Sequence, residues 1–132
     1  MPIARCSCGS LTATVIAWSP VVALCHCEDC QRRTGSAFSV GGFWPTDAVT
    51  IAGPAAFWTR PTAGGQTVTN RFCPTCGSTL SWTADKFPGL IGIAAGAFAD
   101  PAFPPPLRAV WESRKMRWLD VPAPQHFDRG AL

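Results

Sequence analysis

Apolar and polar positions alternate over short stretches of this chain, and no stretch keeps a helical period for long. "LTATVIAW" (Leu11 to Trp18) is β-branched and partly alternating, and "VVALC" runs from Val21 straight into a cysteine. "SAFSVGGFW" (Ser36 to Trp44) predicts a strand with a bulge or a close backbone contact at Gly41 and Gly42. "VTIAG", "AAFWTR", "QTVTNRFC", "STLSWT" and "GLIGIAAG" follow at strand-like spacing, and "LRAVWES" with "KMRWLDV" predicts a final pair. Helix signals are sparse. "CEDCQRRTG" fits one turn stopped by Gly35, and "GAFADPAF" fits another cut by Pro101. The Pro-rich segment from Pro101 to Pro106 predicts a surface loop that no helix crosses. Short strands punctuated by Gly and Pro predict a mainly β fold over residues 1–132 as a single domain.

Composition sharpens this picture. In 132 residues there are 12 Gly and 13 Pro, which disfavours long helices, and six Trp with eight Phe supply the anchors of a core. No apolar run approaches the roughly 20 residues of a membrane span. "MPIARCSCG" lacks the basic-then-apolar pattern of a secretory leader, so the expected location is the cytoplasm. In that reducing setting, seven cysteines point to metal ligands or reactive thiols rather than to disulfides. The formal charge is +3. Seven thiolates add −7 and two Zn²⁺ add +4, which takes it to zero, so the basicity argues little for nucleic acid. The one basic cluster, "ESRKMR" with Arg114, Lys115 and Arg117, reads as a solvated strand or turn.

The cysteines fall into three groups: Cys6 and Cys8; Cys25, Cys27 and Cys30; Cys73 and Cys76. "CSCG" and "FCPTCGS" read as zinc knuckles, the glycine after each pair letting backbone N–H groups face the sulfurs. Cys25, Cys27 and Cys30 are local enough to meet at one ion. The two remaining pairs then form a closed site of four thiolates, clipping a loop of about 65 residues with a high closure entropy. Spacing alone also permits Cys6 and Cys8 to share a metal with two of the central three. A trio of protein ligands with an open position is the pattern of catalytic zinc. If Cys25 and Cys27 end a strand they share a face and His26 takes the other, a packing position rather than a ligand. A second structural site closed by His26, His126, Glu28, Asp29 or water is the alternative, as is a metal-free redox trio. Arg32 and Arg33 follow the trio closely and suit a substrate carboxylate, or stand as surface charges. Phe38, Phe43 and Trp44 suit a cleft wall or, more simply, the core.

These blocks together resemble the glutathione-dependent formaldehyde-activating family, also called the centromere-protein-V family. "CSCGSL", "CHCEDCQRRTG", "FCPTCGSTL", "AGAFADP" and "AVWESRKMRWLDV" carry the resemblance, from about Cys6 to Val121. It implies a β-tent of coiled antiparallel sheets. It also implies Cys6, Cys8, Cys73 and Cys76 as structural zinc ligands, and Cys25, Cys27 and Cys30 as a catalytic three-cysteine zinc site with an open position. The implied activity is that of a carbon–sulfur lyase, S-(hydroxymethyl)glutathione synthase, with a small thiol and an aldehyde as partners and glutathione as co-substrate. Arg32 and Arg33 would then bind glutathione. The rival expectations are a zinc module that binds a thiol or a protein without catalysis, and a nucleic-acid-associated module.

Overall fold

In the computed structural model, which describes residues 1–130, the chain is mainly β, with two sheets and few short helices. A small sheet holds β1 (Ile3–Arg5), β2 (Thr12–Val15) and β5 (Val49–Ala52) in the order β1-β2-β5. The large sheet has eight strands. These are β3 (Val22–Cys25), β4 (Ser39–Pro45), β6 (Ala56–Pro61), β7 (Thr67–Phe72), β8 (Thr79–Ala84), β9 (Leu90–Ala94), β10 (Arg108–Val110) and β11 (Gln125–His126), in the order β11-β10-β3-β4-β9-β8-β7-β6. Two short helices interrupt the strands, α1 (Glu28–Thr34) and α2 (Ala95–Phe98). Among the described residues no helix is long and apolar enough to cross a membrane.

The core lies where the two sheets face each other. Ala4, Ala13 and Val15 of the small sheet meet Trp44, Leu80, Ile91 and Ile93 of the large one, and Cys6 and Cys73 belong to the same buried cluster. Trp18 and Phe103 pack edge-on and tilted against Phe98, which also meets Trp44. The indole N–H of Trp44 donates to the carbonyl of Ala17 at 2.9 Å, so its burial leaves no orphaned donor. Trp44 is therefore a core residue, the simpler of the two roles open to it.

The register divides the large sheet into two faces. Leu24, Gly42 and Ile93 lie toward the core, and a Cβ on Gly42 would strike Trp44 at 2.6 Å. Alternation then sends Cys25, Ser39, Gly41, Phe43, Gly92 and Trp82 to the opposite face. Asn70 pairs with Trp82 and Trp58 with Asn70, which extends that face to the sheet edge.

Two sequence expectations change. "KMRWLDV" forms turns instead of a strand, with Trp118 76% exposed. The place beside β10 goes to β11, and β10 runs parallel to both β11 and β3, so the large sheet is not wholly antiparallel. Gly41 and Gly42 are a close backbone contact rather than a bulge. An irregularity lies instead between Arg71 and Phe72 in the β7–β8 ladder.

Candidate metal centres

Cys6 ends the first strand's approach to a tight turn. The backbone N–H of Leu11 donates to its Sγ at 3.3 Å, and Gly9, at φ 81°, closes the turn. Cys73 begins the equivalent turn after β7, where the N–H of Thr75 reaches its Sγ at 3.4 Å and Gly77, at φ 79°, donates to the Cys73 carbonyl. The two knuckles face each other. Ser7 N–H donates to the Ser78 hydroxyl at 3.1 Å, across 71 residues. The Sγ atoms of Cys6, Cys8, Cys73 and Cys76 all lie within 4.8 Å of one another, and Cys8 is 3.6 Å from both Cys6 and Cys73. Four sulfurs at about 2.3 Å from a tetrahedral zinc would be about 3.8 Å apart, so the donor set fits this ion. Hydroxyls support the charge there. Ser10 brings the Cys73 thiol down to about 7, and Ser78 brings Cys76 down to about 5.

The second group, Cys25, Cys27 and Cys30, also falls within 4.8 Å, and among the described residues no histidine nitrogen or carboxylate oxygen joins it at that distance. The fold therefore brings the cysteines together as four and three, not as the mixed pairing that spacing also permitted. Cys25 is the last residue of β3, but Cys27 is the N-cap of α1, its Sγ accepting from the N–H of Cys30 at 3.3 Å. The same turn that lets this sulfur cap the helix brings Cys27 and Cys30 together with Cys25. Gly35, at φ 66°, ends the helix, with its N–H on the Gln31 carbonyl. Thiol hydrogen bonds from Cys25 and Cys27 lower the Cys30 thiol, with Ser39 and the positive charge of Arg33 acting in the same direction. Cys25 shows the converse upward shift, from the same thiol contacts and from burial. Three converging sulfurs of which one readily ionises are a donor set that fits zinc.

His26 is 1% exposed and lies outside the trio. Desolvation holds its imidazole below its usual pKa, and its Nδ1 has no partner. Its ring packs edge-on to Phe38. His126 pairs with Glu112 on the far side of β10.

Arg32 and Arg33 separate clearly. The Arg32 side chain is 77% exposed and 3.9 Å from Glu28 on the same helix. The Arg33 guanidinium lies 4.4 Å from the centroid of the Trp82 ring. A cavity of about 550 Å³ is lined by Arg33, Phe38 and Ser39 on one side and by Cys76 and Ser78 of the second knuckle on the other. Ser39, the register partner of Cys25, and Arg33 are the walls that adjoin the trio. A second, of about 380 Å³, adjoins it through Arg33 and Thr79, and its wall includes Asp29, Trp58, Arg60 and Asn70. Arg60 reaches Asp29 at 3.2 Å and so ties α1 to the sheet edge. The sequence reading missed Trp82, Ser39 and Arg60 as site residues. Alternation in "STLSWT" puts Leu80 and Trp82 on one face, and only the irregularity opposite Arg71 and Phe72, which leaves Leu80 as the extra residue, sends Leu80 to the core and Trp82 to the other face. Nothing local to Arg60 indicates a partner 31 positions away.

The family model described as "Glutathione-dependent formaldehyde-activating enzyme" matches residues 1–114. No curated protein matches the chain. Among solved structures, the crystal structure of a Rhodobacter sphaeroides protein, a structural genomics target, is similar in fold. Its TM-score is 0.57 at 16% identity, covering 72% of this chain and 85% of that one.

Proposed function

Because the chain belongs to the glutathione-dependent formaldehyde-activating family, we propose that it joins a thiol, glutathione or one like it, to a small aldehyde such as formaldehyde. It would be a carbon–sulfur lyase of the S-(hydroxymethyl)glutathione synthase type. One bond forms, from the thiol sulfur to the carbonyl carbon. The C=O π bond breaks and the thiol proton ends on that oxygen, so nothing is oxidised or reduced. The observation that carries the reading is the uneven grouping of seven sulfurs, four and three, with a cavity of about 550 Å³ beside Ser39 and Arg33, the neighbours of the trio.

In this reading Cys6, Cys8, Cys73 and Cys76 hold a structural zinc, and Cys25, Cys27 and Cys30 hold a second with one position left for a ligand. Zinc at the trio, when bound, supplies a site at which a thiol ligates as its thiolate. Three thiolates around Zn²⁺ carry net −1, which favours thiol positioning over strong carbonyl activation. Arg33, with its charge beside Cys30, orients an anionic tail of the thiol, whereas exposed Arg32 contributes field only. Among the described residues no carboxylate or imidazole lines the larger cavity, so its walls contribute proximity rather than proton transfer.

That same lack of an acid or base supports a second reading, a zinc module that binds a thiol without catalysis. Addition of formaldehyde to a thiol proceeds unaided, so the decisive quantity is a rate. The exchange of glutathione with its hydroxymethyl adduct, followed by NMR, should accelerate with protein and return to the unaided rate in Cys27→Ser while the melting profile persists. An unaltered exchange rate with measurable glutathione binding would establish the module instead.

A further inference from the structure

Trp82 lies flat on glycine. On β8 it pairs with Gly92 of β9, and a Cβ on Gly92 would stand 2.5 Å from its Cε2. A Cβ on Gly41 of β4 would stand 2.5 Å from its Cζ2. No side chain fits at either position while the indole keeps this place, so two neighbouring strands supply a bare backbone platform for one ring. Phe43 closes one edge, at 6.2 Å between centroids and an interplanar angle of 78°. The Arg33 guanidinium carbon lies over the indole, 4.4 Å from the ring centroid. Arg33 is also one of the residues common to the walls of both cavities. The helix that carries it is held independently by the Asp29–Arg60 pair. Arg32, one residue earlier, stands mostly in solvent beside Glu28.

We propose that Trp82 is a positioning residue: it pins the Arg33 guanidinium at the boundary of the two cavities, where Arg33 grips an anionic group of the thiol whose sulfur reaches Cys25, Cys27 and Cys30. The proposal rests on the reading of the trio as a thiol site. The physical gain is preorganisation. An arginine in solvent gives up several rotatable bonds when it grips a carboxylate, whereas one already held over a ring gives up few. The ring attracts the cation without accepting a directed hydrogen bond, so the guanidinium N–H groups stay available to a ligand. Glycine at both 41 and 92 is what this arrangement requires, since packing alone would accept a smaller ring over larger residues.

The test compares two thiols on the zinc-loaded full chain by NMR titration: glutathione, which carries carboxylates, and 2-mercaptoethanol, which carries none. Trp82→Leu keeps an apolar side chain on the glycines but removes the π face. It should weaken glutathione about tenfold, leave 2-mercaptoethanol unchanged and leave zinc content unchanged. Arg33→Met, a change on the helix surface that does not depend on Trp82 packing, should reproduce the selective loss. In that background Trp82→Leu should add nothing. Equal weakening of both thiols, additive losses in the double variant, or undiminished glutathione binding in either single variant would overturn the positioning role while leaving the thiol site intact. If the unaltered protein bound neither thiol, the thiol-site reading would fall, and the role of Trp82 with it.

Discussion

Cys73 and Cys30 are the same residue type in different settings. Cys73 is fully buried among core side chains at the end of β7, whereas Cys30 is half-buried on a helix that lies against the face of the sheet away from the core. A four-thiolate zinc site is worth about 10–16 kcal/mol of apparent binding energy, comparable to or above the roughly 5–15 kcal/mol stability of a whole domain. Cys73→Ala should therefore abolish the folded state or soluble expression. Cys30→Ala should leave a folded protein with one zinc fewer, measured by metal analysis beside circular dichroism. Equivalent behaviour of the two variants would contradict the division of labour between the clusters. At this scale the sequence was highly legible, because a metal site advertises itself through residue type and spacing. Cys6, Cys8, Cys73 and Cys76 group as the spacing suggested, and so do Cys25, Cys27 and Cys30. Arg32 and Arg33 were indistinguishable until the helix gave them different neighbours.

The element that matters most is α1, seven residues capped by a cysteine and stopped by a glycine. A helix this short has little stability of its own and depends on its ends and its contacts. At the C-terminal end, Gly35 holds φ 66°, and a Cβ there would meet no atom within 4 Å. Gly35→Ala therefore costs backbone strain without a clash, about 1–2 kcal/mol. It should lower the melting temperature by a few degrees without changing zinc content. A loss of zinc at the trio in that variant would show that the helix end sets the sulfur positions directly. The sequence marked this stop because Gly after a basic last turn is a local signal. It marked most strands of the large sheet for the same reason, since "QTVTNRFC" and "STLSWT" carry their own alternation. It could not place "KMRWLDV", whose alternation is as good as theirs. Strand pairing is decided by which segment reaches β10, and Gln125–His126 reaches it in parallel register. A three-residue strand such as Ile3–Arg5 is likewise invisible alone, and exists because Thr12–Val15 pairs with it.

Over the whole molecule, the two sheets do different work. Their facing surfaces form the core, with two of the four clip sulfurs, Cys6 and Cys73, built into it. The opposite face of the large sheet carries Cys25, Ser39 and Trp82, and α1 lies against it. Under the proposed function the four-sulfur cluster serves folding, and the three-sulfur cluster serves thiol binding on the face that carries Trp82 and Arg33. On that reading the same separation accounts for the uneven use of seven sulfurs. A closed set resists exchange, and an incomplete one admits a guest. NMR of the cadmium-substituted protein reads both sites at once, since each metal reports its own ligands. Two resonances are predicted, of which glutathione shifts the one that Cys30→Ala removes and leaves the other in place. A spectrum in which glutathione shifts neither resonance, or shifts both alike, would contradict the assignment of one site to the fold and the other to the thiol.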